Sequence, residues 1–321
     1  MHANINSTTS SESLQQQIET RPAHGIWAAA LSPQNKDLQL DSQRYIEHTR
    51  WLLEGCHGVA VFGTTGEANS FSVQERMDLL EKLLAGGISA QRLMVGTGCC
   101  AITDSVDLTK HALGLGCNKL LMLPPFYYKG VSTEGLYRNY SEVIQRVAST
   151  ELRVFLYHFP ALTMTPITLE LIEKLLQDYP ATIAGLKDSS GDWSNTKLMI
   201  EQFPELAVFP GSETFLLQGL QLGGAGCISA SANVSAAEIR EVYDSWKNET
   251  DQQESQQQRV SNIRSAIAKL PLVAACKGYI ARQQKDDAWL NLRPPLQNST
   301  AEELDQLSTD LEKLDFQLEK H

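Results

Sequence analysis

The sequence feature that most constrains the fold is a series of short apolar runs with helical patterns between them. The runs have the length of strands, and their starts lie about 20 to 34 residues apart, the length of one strand–helix unit. Near-continuous apolar strands are typical of a parallel sheet covered by helices. Eight such units predict a (β/α)8 barrel, the TIM-barrel fold. The predicted strands cover residues 26–31, 58–62, 92–97, 119–123, 153–157, 182–187, 206–210 and 226–229.

Helix-start signals lie between the predicted strands, where a barrel needs them. Ser72 with Glu75 and Ser235 with Glu238 have the spacing of a capping box. A further helix is predicted to begin at Asp41, with its apolar residues on one side. Local signals and global architecture therefore agree.

The strand signal ends near residue 234, and four helical stretches follow. They are predicted at 236–247, 254–270, 272–284 and 299–317, the last opened by Ser299 and Glu302. We expect three parts: residues 1–22 as a disordered or loosely docked tail, 23–234 as the barrel core, and 235–321 as helices that complete the barrel and form a small helical domain.

Composition excludes some classes of partner. A net charge of −11 argues against a nucleic-acid surface, which needs a basic stripe. No apolar run approaches the roughly 20 residues that cross a bilayer, and the polar first residues do not resemble a signal peptide. We expect a cytoplasmic protein that binds a small molecule. Its cysteines lack metal or redox spacing and are predicted to be reduced packing residues: Cys56, Cys99, Cys100, Cys117, Cys227 and Cys276.

The active site of a (β/α)8 barrel forms at the carboxyl ends of its strands. Lys187 ends the sixth apolar strand, at a position predicted to point into the barrel mouth. Burial disfavours the charged ammonium and frees the amine to attack a carbonyl. The alternative is a structural lysine paired with Asp188 or another carboxylate.

Two neighbouring strands supply further candidates. Tyr157 ends the fifth strand, where its phenol could move a proton to or from a carbinolamine on Lys187; the alternative is a core tyrosine. Residues 63–67, Gly-Thr-Thr-Gly-Glu, offer hydroxyls and backbone N–H groups suited to a carboxylate; the alternative is an ordinary tight turn.

At these residues the sequence resembles the family of dihydrodipicolinate synthase and N-acetylneuraminate lyase. The resemblance runs from about Gly25 to Leu296 and rests on motifs in the same order at barrel-unit spacing. The motifs are GTTGE at 63–67, PPFYY at 124–128, YHFP at 157–160, GLKDSSGD at 185–192 and GCIS at 226–229.

The resemblance implies a role for each matching residue. Lys187 would form a Schiff base with pyruvate, and Tyr157 would act as general acid and base, with the Thr64 hydroxyl in the same proton relay. Thr65 and the turn backbone between Gly63 and Gly66 would bind the pyruvate carboxylate.

Three further positions carry weaker assignments from the same resemblance. Either Tyr127 or Tyr128 would complete the relay, since both can be matched to the family tyrosine. Ile228 would lie beside the pyruvate, through its backbone carbonyl.

Two departures from the family pattern concern the acceptor half of the site. Leu162 stands where synthases carry the arginine that binds the carboxylate of aspartate semialdehyde. His158 replaces an asparagine, and Cys100 stands where lysine-inhibited members often have an asparagine. The sequence carries the residues of the pyruvate half, whereas the acceptor half is changed.

We therefore expect a class I pyruvate-dependent aldolase or lyase that joins pyruvate, or a related 2-oxo acid, to an aldehyde or reverses that reaction. The iminium withdraws electrons itself, so no metal or organic cofactor is expected. Alternatives are 4-hydroxy-tetrahydrodipicolinate synthase, a 2-keto-3-deoxy sugar acid aldolase or dehydratase, and a non-catalytic 2-oxo acid sensor. The resemblance further implies a homotetramer built as a dimer of dimers.

Overall fold

The computed structural model describes residues 11–318 and contains eight parallel strands arranged as a nearly closed barrel. The hydrogen-bonded order is β7-β6-β5-β4-β3-β2-β1-β8, so each strand lies beside its neighbour in sequence and β8 returns to β1. The strands are β1 Gly25–Ala29, β2 Gly58–Val61, β3 Leu93–Gly96, β4 Lys119–Met122, β5 Arg153–His158, β6 Ile183–Asp188, β7 Ala207–Pro210 and β8 Gly226–Ser229. The predicted barrel is confirmed, and each predicted strand overlaps an observed one.

Helices cover the outside of the barrel and continue beyond its last strand. They are α1 Ser11–Glu19, α2 Ser42–Gly55, α3 Val73–Ala85, α4 Ile102–Gly114, α5 Thr133–Val147, α6 Pro160–Thr163, α7 Leu169–Asp178, α8 Trp193–Gln202, α9 Leu216–Gln221, α10 Ala232–Lys247, α11 Gln253–Ile267, α12 Leu272–Gln284 and α13 Ala301–Glu312. In the described part of the chain, no helix is both long enough and apolar enough to span a membrane.

Each strand separates two apolar layers. In β1, Ile26 and Ala28 face the helices, whereas Trp27 and Ala29 belong to the cluster inside the barrel. The barrel interior leaves little room beside the indole, since a Cβ on Gly58 would lie 2.4 Å from Trp27 Cζ3. The interior is therefore a packed core, as in other barrels of this type.

One irregularity in the sheet decides which side chains at the end of β6 point into the barrel. Val154 of β5 pairs with Ile183, but the next residue, Phe155, pairs with Gly185, so β6 contains one extra residue. Ile183 belongs to the outer apolar layer, and simple alternation from it would turn Lys187 outward. The bulge reverses the alternation and places Lys187 inside the barrel.

The carboxyl-terminal helices form a second core on one end of the barrel. Ile263, Ile280, Leu307 and their neighbours cluster with Leu31 and Val234, which follow β1 and β8. The predicted helical layer is thus packed directly onto the barrel.

The amino-terminal segment differs from the expected disordered or loosely docked tail. Residues 1–10 lie outside the described part, but α1 is helical and Ile18 is fully buried against the barrel. The Arg21 guanidinium donates to the backbone oxygens of Gly223 and Pro204, in the loops that lead into β8 and β7. Gln15 also donates to Lys247 O on α10, so the docking combines one fully buried apolar residue with polar contacts that the composition of the segment does not reveal.

Helix caps confirm some predictions and correct others. Asp41 caps α2, and Ser72 with Glu75 forms the predicted capping box of α3. Ser235, with φ −128° and ψ 37°, lies at a kink that joins two helical segments of α10, so the second segment begins at the predicted helix start. The Ser235 hydroxyl donates to Ser231 O.

The cap of α13 was predicted one residue too early. Thr300 and Glu303 form the box, rather than Ser299 and Glu302. Both pairs have the required spacing, so only the packing of the helix selects between them.

Candidate active site

Lys187 lies near the carboxyl end of β6 with its side chain inside the barrel. The residue is 4% exposed and is in register with Tyr157 on β5. Its Nζ lies 3.3 Å from Tyr157 Oη and 4.4 Å from the centre of the phenol ring. The amine therefore sits against a proton-carrying hydroxyl.

A second hydroxyl extends this contact toward the turn after β2. Thr64 Oγ1 lies 3.1 Å from Tyr157 Oη, and either atom can donate. Thr64, Tyr157 and Lys187 thus form a continuous hydrogen-bonded line. Such a line can carry a proton between the amine and the turn.

The alternative interpretation of Lys187, an ion pair with Asp188, does not fit the contacts. The Asp188 carboxylate accepts hydrogen bonds from Ser190, Asn195 and Thr196, on the outer side of β6. Within the described residues, no carboxylate forms a salt bridge with Lys187. The buried lysine is left with a phenol as its neighbour.

The turn at residues 63–67 borders the same space. Thr65 is buried and, with Thr64, lines a cavity of about 650 Å³ that also contains Lys187 and Tyr157. Gly63 lines a small adjoining pocket with Thr64. At Gly66, a Cβ would lie 3.0 Å from Ala30 O, so the glycine allows the turn to pack against β1.

Glu67 fixes this turn, a role that the sequence alone did not suggest. Its backbone has φ +53°, in the left-handed region, and its side chain is fully buried. Lys277 Nζ on α12 lies 2.5 Å from one carboxylate oxygen, and Gln34 donates to the other at 2.8 Å. Burial lowers the pKa of Lys277, and the Glu67 carboxylate opposes that shift. The ion pair therefore ties the threonine turn to the carboxyl-terminal helices.

Tyr127 and Tyr128 lie at the surface, each 73% exposed. Their rings contact each other edge to face, with centres 5.3 Å apart. In the part of the chain that the structure describes, neither tyrosine bonds to Thr64 or Tyr157. A single chain does not bring either of them into the relay.

Ile228 and His158 are both buried, in different surroundings. Ile228 belongs to the barrel-interior cluster that contains Tyr157, and the cavity itself is lined by Ala230, two residues further along. His158 Nδ1 accepts a hydrogen bond from Ile167 N at 3.0 Å. Burial lowers the His158 pKa, opposed by the Asp188 charge, so the imidazole is a neutral acceptor that holds the loop after β5.

The rest of the cavity is mostly apolar. Leu162, at the position of the family arginine, lines the cavity and is 58% exposed. The carboxyl-terminal helices contribute Arg264 and a wall of apolar residues after it. The cavity thus has a polar floor around Lys187 and a largely apolar entrance, with one guanidinium at its side.

Comparison with known proteins agrees with this geometry. Residues 22–314 match the Dihydrodipicolinate synthetase family. An uncharacterized DapA-like lyase of Chloroflexus aurantiacus is 35% identical over 260 residues, which cover 80% of this chain and 85% of the relative. A 4-hydroxy-tetrahydrodipicolinate synthase of Methanopyrus kandleri is 30% identical over 227 residues, covering 70% and 74% of the two chains.

Solved structures have the same fold. The crystal structure of dihydrodipicolinate synthase from Agrobacterium tumefaciens superposes with a TM-score of 0.83 and 31% identity, over 91% of this chain and 99% of that one. A variant of the 2-keto-3-deoxygluconate aldolase of Sulfolobus solfataricus, at 19% identity, shares the fold with a TM-score of 0.80, over 91% and 96% of the two chains. The chain therefore belongs to the Dihydrodipicolinate synthetase family and is a pyruvate-dependent lyase of that family.

Proposed function

We propose that Lys187 is the Schiff-base lysine of a class I aldolase or lyase that acts on pyruvate, or a related 2-oxo acid, and an aldehyde. The observation that carries the proposal is the hydrogen-bonded line in which a buried amine lies 3.3 Å from Tyr157 Oη, itself 3.1 Å from Thr64 Oγ1. A lysine that serves only stability would be paired with a carboxylate at this depth. Here its partner is a group that can exchange protons.

The proposed reaction starts when the amine of Lys187 attacks C2 of pyruvate. The carbonyl oxygen receives one proton that the attacking amine gives up and a second from Tyr157, and it leaves as water, which gives the iminium. Tyr157, now a phenolate, takes a C3 proton and so turns the iminium into an enamine. C3 of the enamine attacks the aldehyde carbon, and the aldehyde oxygen takes a proton from Tyr157 and becomes a hydroxyl. Water then hydrolyses the iminium and frees Lys187, and cleavage follows the same steps in reverse.

The turn supplies the proposed site for the pyruvate carboxylate. Thr65 lines the cavity beside Lys187, and among the described residues none accepts a hydrogen bond from the Thr64 or Thr65 backbone N–H. Unused N–H groups in a turn suit a carboxylate. Gly63 and Gly66 flank the two threonines of this turn. In the proposed arrangement, the backbone carbonyl of Ile228 lies beside the bound pyruvate.

Borohydride reduction in the presence of pyruvate tests the proposal. The reduced adduct should map to Lys187 and disappear in Lys187→Met. The other buried lysines, Lys119 and Lys277, serve as internal controls and should stay unmodified. Labelling elsewhere, or no adduct, contradicts the assignment.

A panel of substrates then separates the reaction classes. Turnover of aspartate semialdehyde would identify a 4-hydroxy-tetrahydrodipicolinate synthase, in which a basic residue elsewhere in the cavity binds the carboxylate that Leu162 cannot bind. Turnover of 2-keto-3-deoxy sugar acids distinguishes an aldolase from a dehydratase by whether pyruvate or water is released. An adduct without turnover of any partner would identify a 2-oxo acid sensor.

We further propose a homotetramer, a dimer of dimers, in the cytoplasm. The adjacent, highly exposed Tyr127 and Tyr128 support a contact between copies that would bring one of them to a relay. The free cysteines in the described residues agree with a reducing compartment. Light scattering of the purified protein measures the assembly, and a monomer would contradict it.

A further inference from the structure

We propose that Arg264 binds a carboxylate at the far end of the second substrate, so that the enzyme acts on carboxylate-bearing partners despite Leu162. This inference rests on the proposed function, because it assigns the acceptor half of the same cavity. Arg264 lies in the last turn of α11 and lines the cavity that contains Lys187. Its side chain is 14% exposed.

The guanidinium is anchored on one side only. Its Nη1 donates to Ser231 Oγ at 3.2 Å, and the Ser231 hydroxyl in turn donates to Glu213. No other hydrogen bond joins the Arg264 guanidinium to a residue that the structure describes. An arginine has five N–H donors, so most of its hydrogen-bonding capacity remains for a ligand.

A structural role in neutralising Glu213 does not account for this arrangement. Glu213 is completely buried, but its carboxylate is satisfied by the hydroxyls of Ser229 and Ser231. Arg264 approaches it only to 4.0 Å and forms no hydrogen bond with it. A guanidinium dedicated to a carboxylate normally forms two parallel hydrogen bonds of about 2.7–2.9 Å. Glu213 and Ser231 instead hold the guanidinium in place from behind.

The surroundings favour a single carboxylate. Among the described residues that line the cavity, Arg264 and Lys187 are the only lysine or arginine side chains. Lys187 reacts with the 2-oxo acid in the proposed function, so the planar guanidinium of Arg264 is the cation that remains for the rest of the substrate. Leu162, Phe215 and Val273 line the same space, so the fork acts in apolar surroundings, where a charge-assisted pair is strong.

Matched 2-oxo acids test the inference without requiring turnover. The probes are 2-oxoglutarate and 2-oxoadipate, which carry a distal carboxylate, against 2-oxopentanoate and 2-oxohexanoate, which end in a methyl group. All four present the same carbonyl to Lys187. The measurement is the probe concentration that gives half-maximal borohydride-trapped adduct, with pyruvate as the reference.

We expect wild-type protein to prefer at least one of the two dicarboxylates over its methyl counterpart. Arg264→Gln should raise the half-maximal concentration of that dicarboxylate about 10- to 100-fold and leave pyruvate and the methyl probes within about threefold. Arg264→Lys, which keeps the charge but loses the fork, should fall between. Lys269→Gln removes an exposed charge just beyond α11 and should change none of the values.

Variants at Glu213 separate binding from folding. If Arg264→Gln folds poorly, Glu213→Gln with Arg264→Gln removes both charges and should show the same selective loss. Equal weakening of all probes, or no preference in wild type at either chain length, would overturn the inference. Absence of a pyruvate adduct in wild type would instead mean that the proposed function is wrong.

Discussion

The ion pair between Glu67 and Lys277 offers the sharpest test of how the site is held. Both side chains are fully buried, and Lys277 also donates to Asn291 O at 3.0 Å. Lys277→Met removes the cation but leaves the carboxylate with its one hydrogen bond from Gln34. Breaking a buried pair in this way costs about 3–5 kcal/mol, and the surviving hydrogen bond favours the lower value. At roughly 2–4 °C per kcal/mol for large domains, the melting temperature should fall by about 6–12 °C.

Thermal unfolding followed by circular dichroism at one scan rate measures the effect. Glu67→Gln with Lys277→Met removes both charges and should recover more than half of the loss, because no uncompensated ion stays buried. Lys269→Met, which breaks an exposed pair with Asp310, is the matched control and should change stability by less than about 1 kcal/mol. A Lys277→Met protein as stable as the control, or a double variant less stable than Lys277→Met, would refute the reasoning.

Three further predictions follow from other contacts. Tyr157→Phe should lower kcat about 100- to 10,000-fold, whereas Tyr140→Phe, which removes a buried phenol hydroxyl outside the cavity, should leave kcat nearly unchanged in a steady-state assay. Burial lowers the pKa of His57 to about 4 in the native state, whereas the unfolded chain binds this proton once the pH falls below about 6.5. The free energy of unfolding should therefore decrease between about pH 6.5 and pH 4. Melting temperatures measured over this pH range should decrease less in His57→Asn than in the wild type. Gly58→Ala should destabilise the protein by about 1–3 kcal/mol in urea denaturation, because its Cβ would lie 2.4 Å from an indole carbon. Gly114→Ala, with open space around the new Cβ, should not destabilise it. Equal denaturation midpoints for the two variants would contradict the packing argument.

The barrel could be predicted from sequence because its signal is repeated. Each strand is a short apolar run between helical patterns, and an error in one unit would leave the others intact. The shared location of Lys187, Tyr157 and the turn at residues 63–67 could be predicted for a related reason: the fold brings the carboxyl ends of all strands to one face. The place of Thr64 beside Tyr157 was implied only by the family resemblance.

What sequence reasoning missed depends on contacts between distant segments. The partnership of Glu67 with Lys277 joins the second strand unit to α12, and neither residue carries a local signal for it. The anchored Arg264 lies in a helix whose pattern indicates only an amphipathic surface. The bulge beside Phe155 also has no signal in the local sequence, because the register of a strand is set by its pairing with the next strand. A search for charged residues in otherwise apolar segments would have found Lys277 in its run of buried neighbours.

For α1, the composition of the segment predicted the wrong surroundings: its polar residues indicated a solvated segment, but the helix is docked on the barrel. A segment rich in polar residues is ordinarily solvated, yet Ile18 is buried against the barrel and Arg21 donates to the loop before β8. The average composition of a segment does not show which of its single residues make such contacts.

The position of the cavity wall in the chain has a consequence for biosynthesis. All eight strands precede residue 230, but Arg264, Lys277 and the apolar entrance come from the segments that follow. A nascent chain that has left the ribosome only as far as α10 carries Lys187 without the cation that neutralises Glu67 or the wall that encloses a substrate. Competence to bind the 2-oxo acid therefore arrives with the last quarter of translation, and products truncated before α12 should be inert toward it.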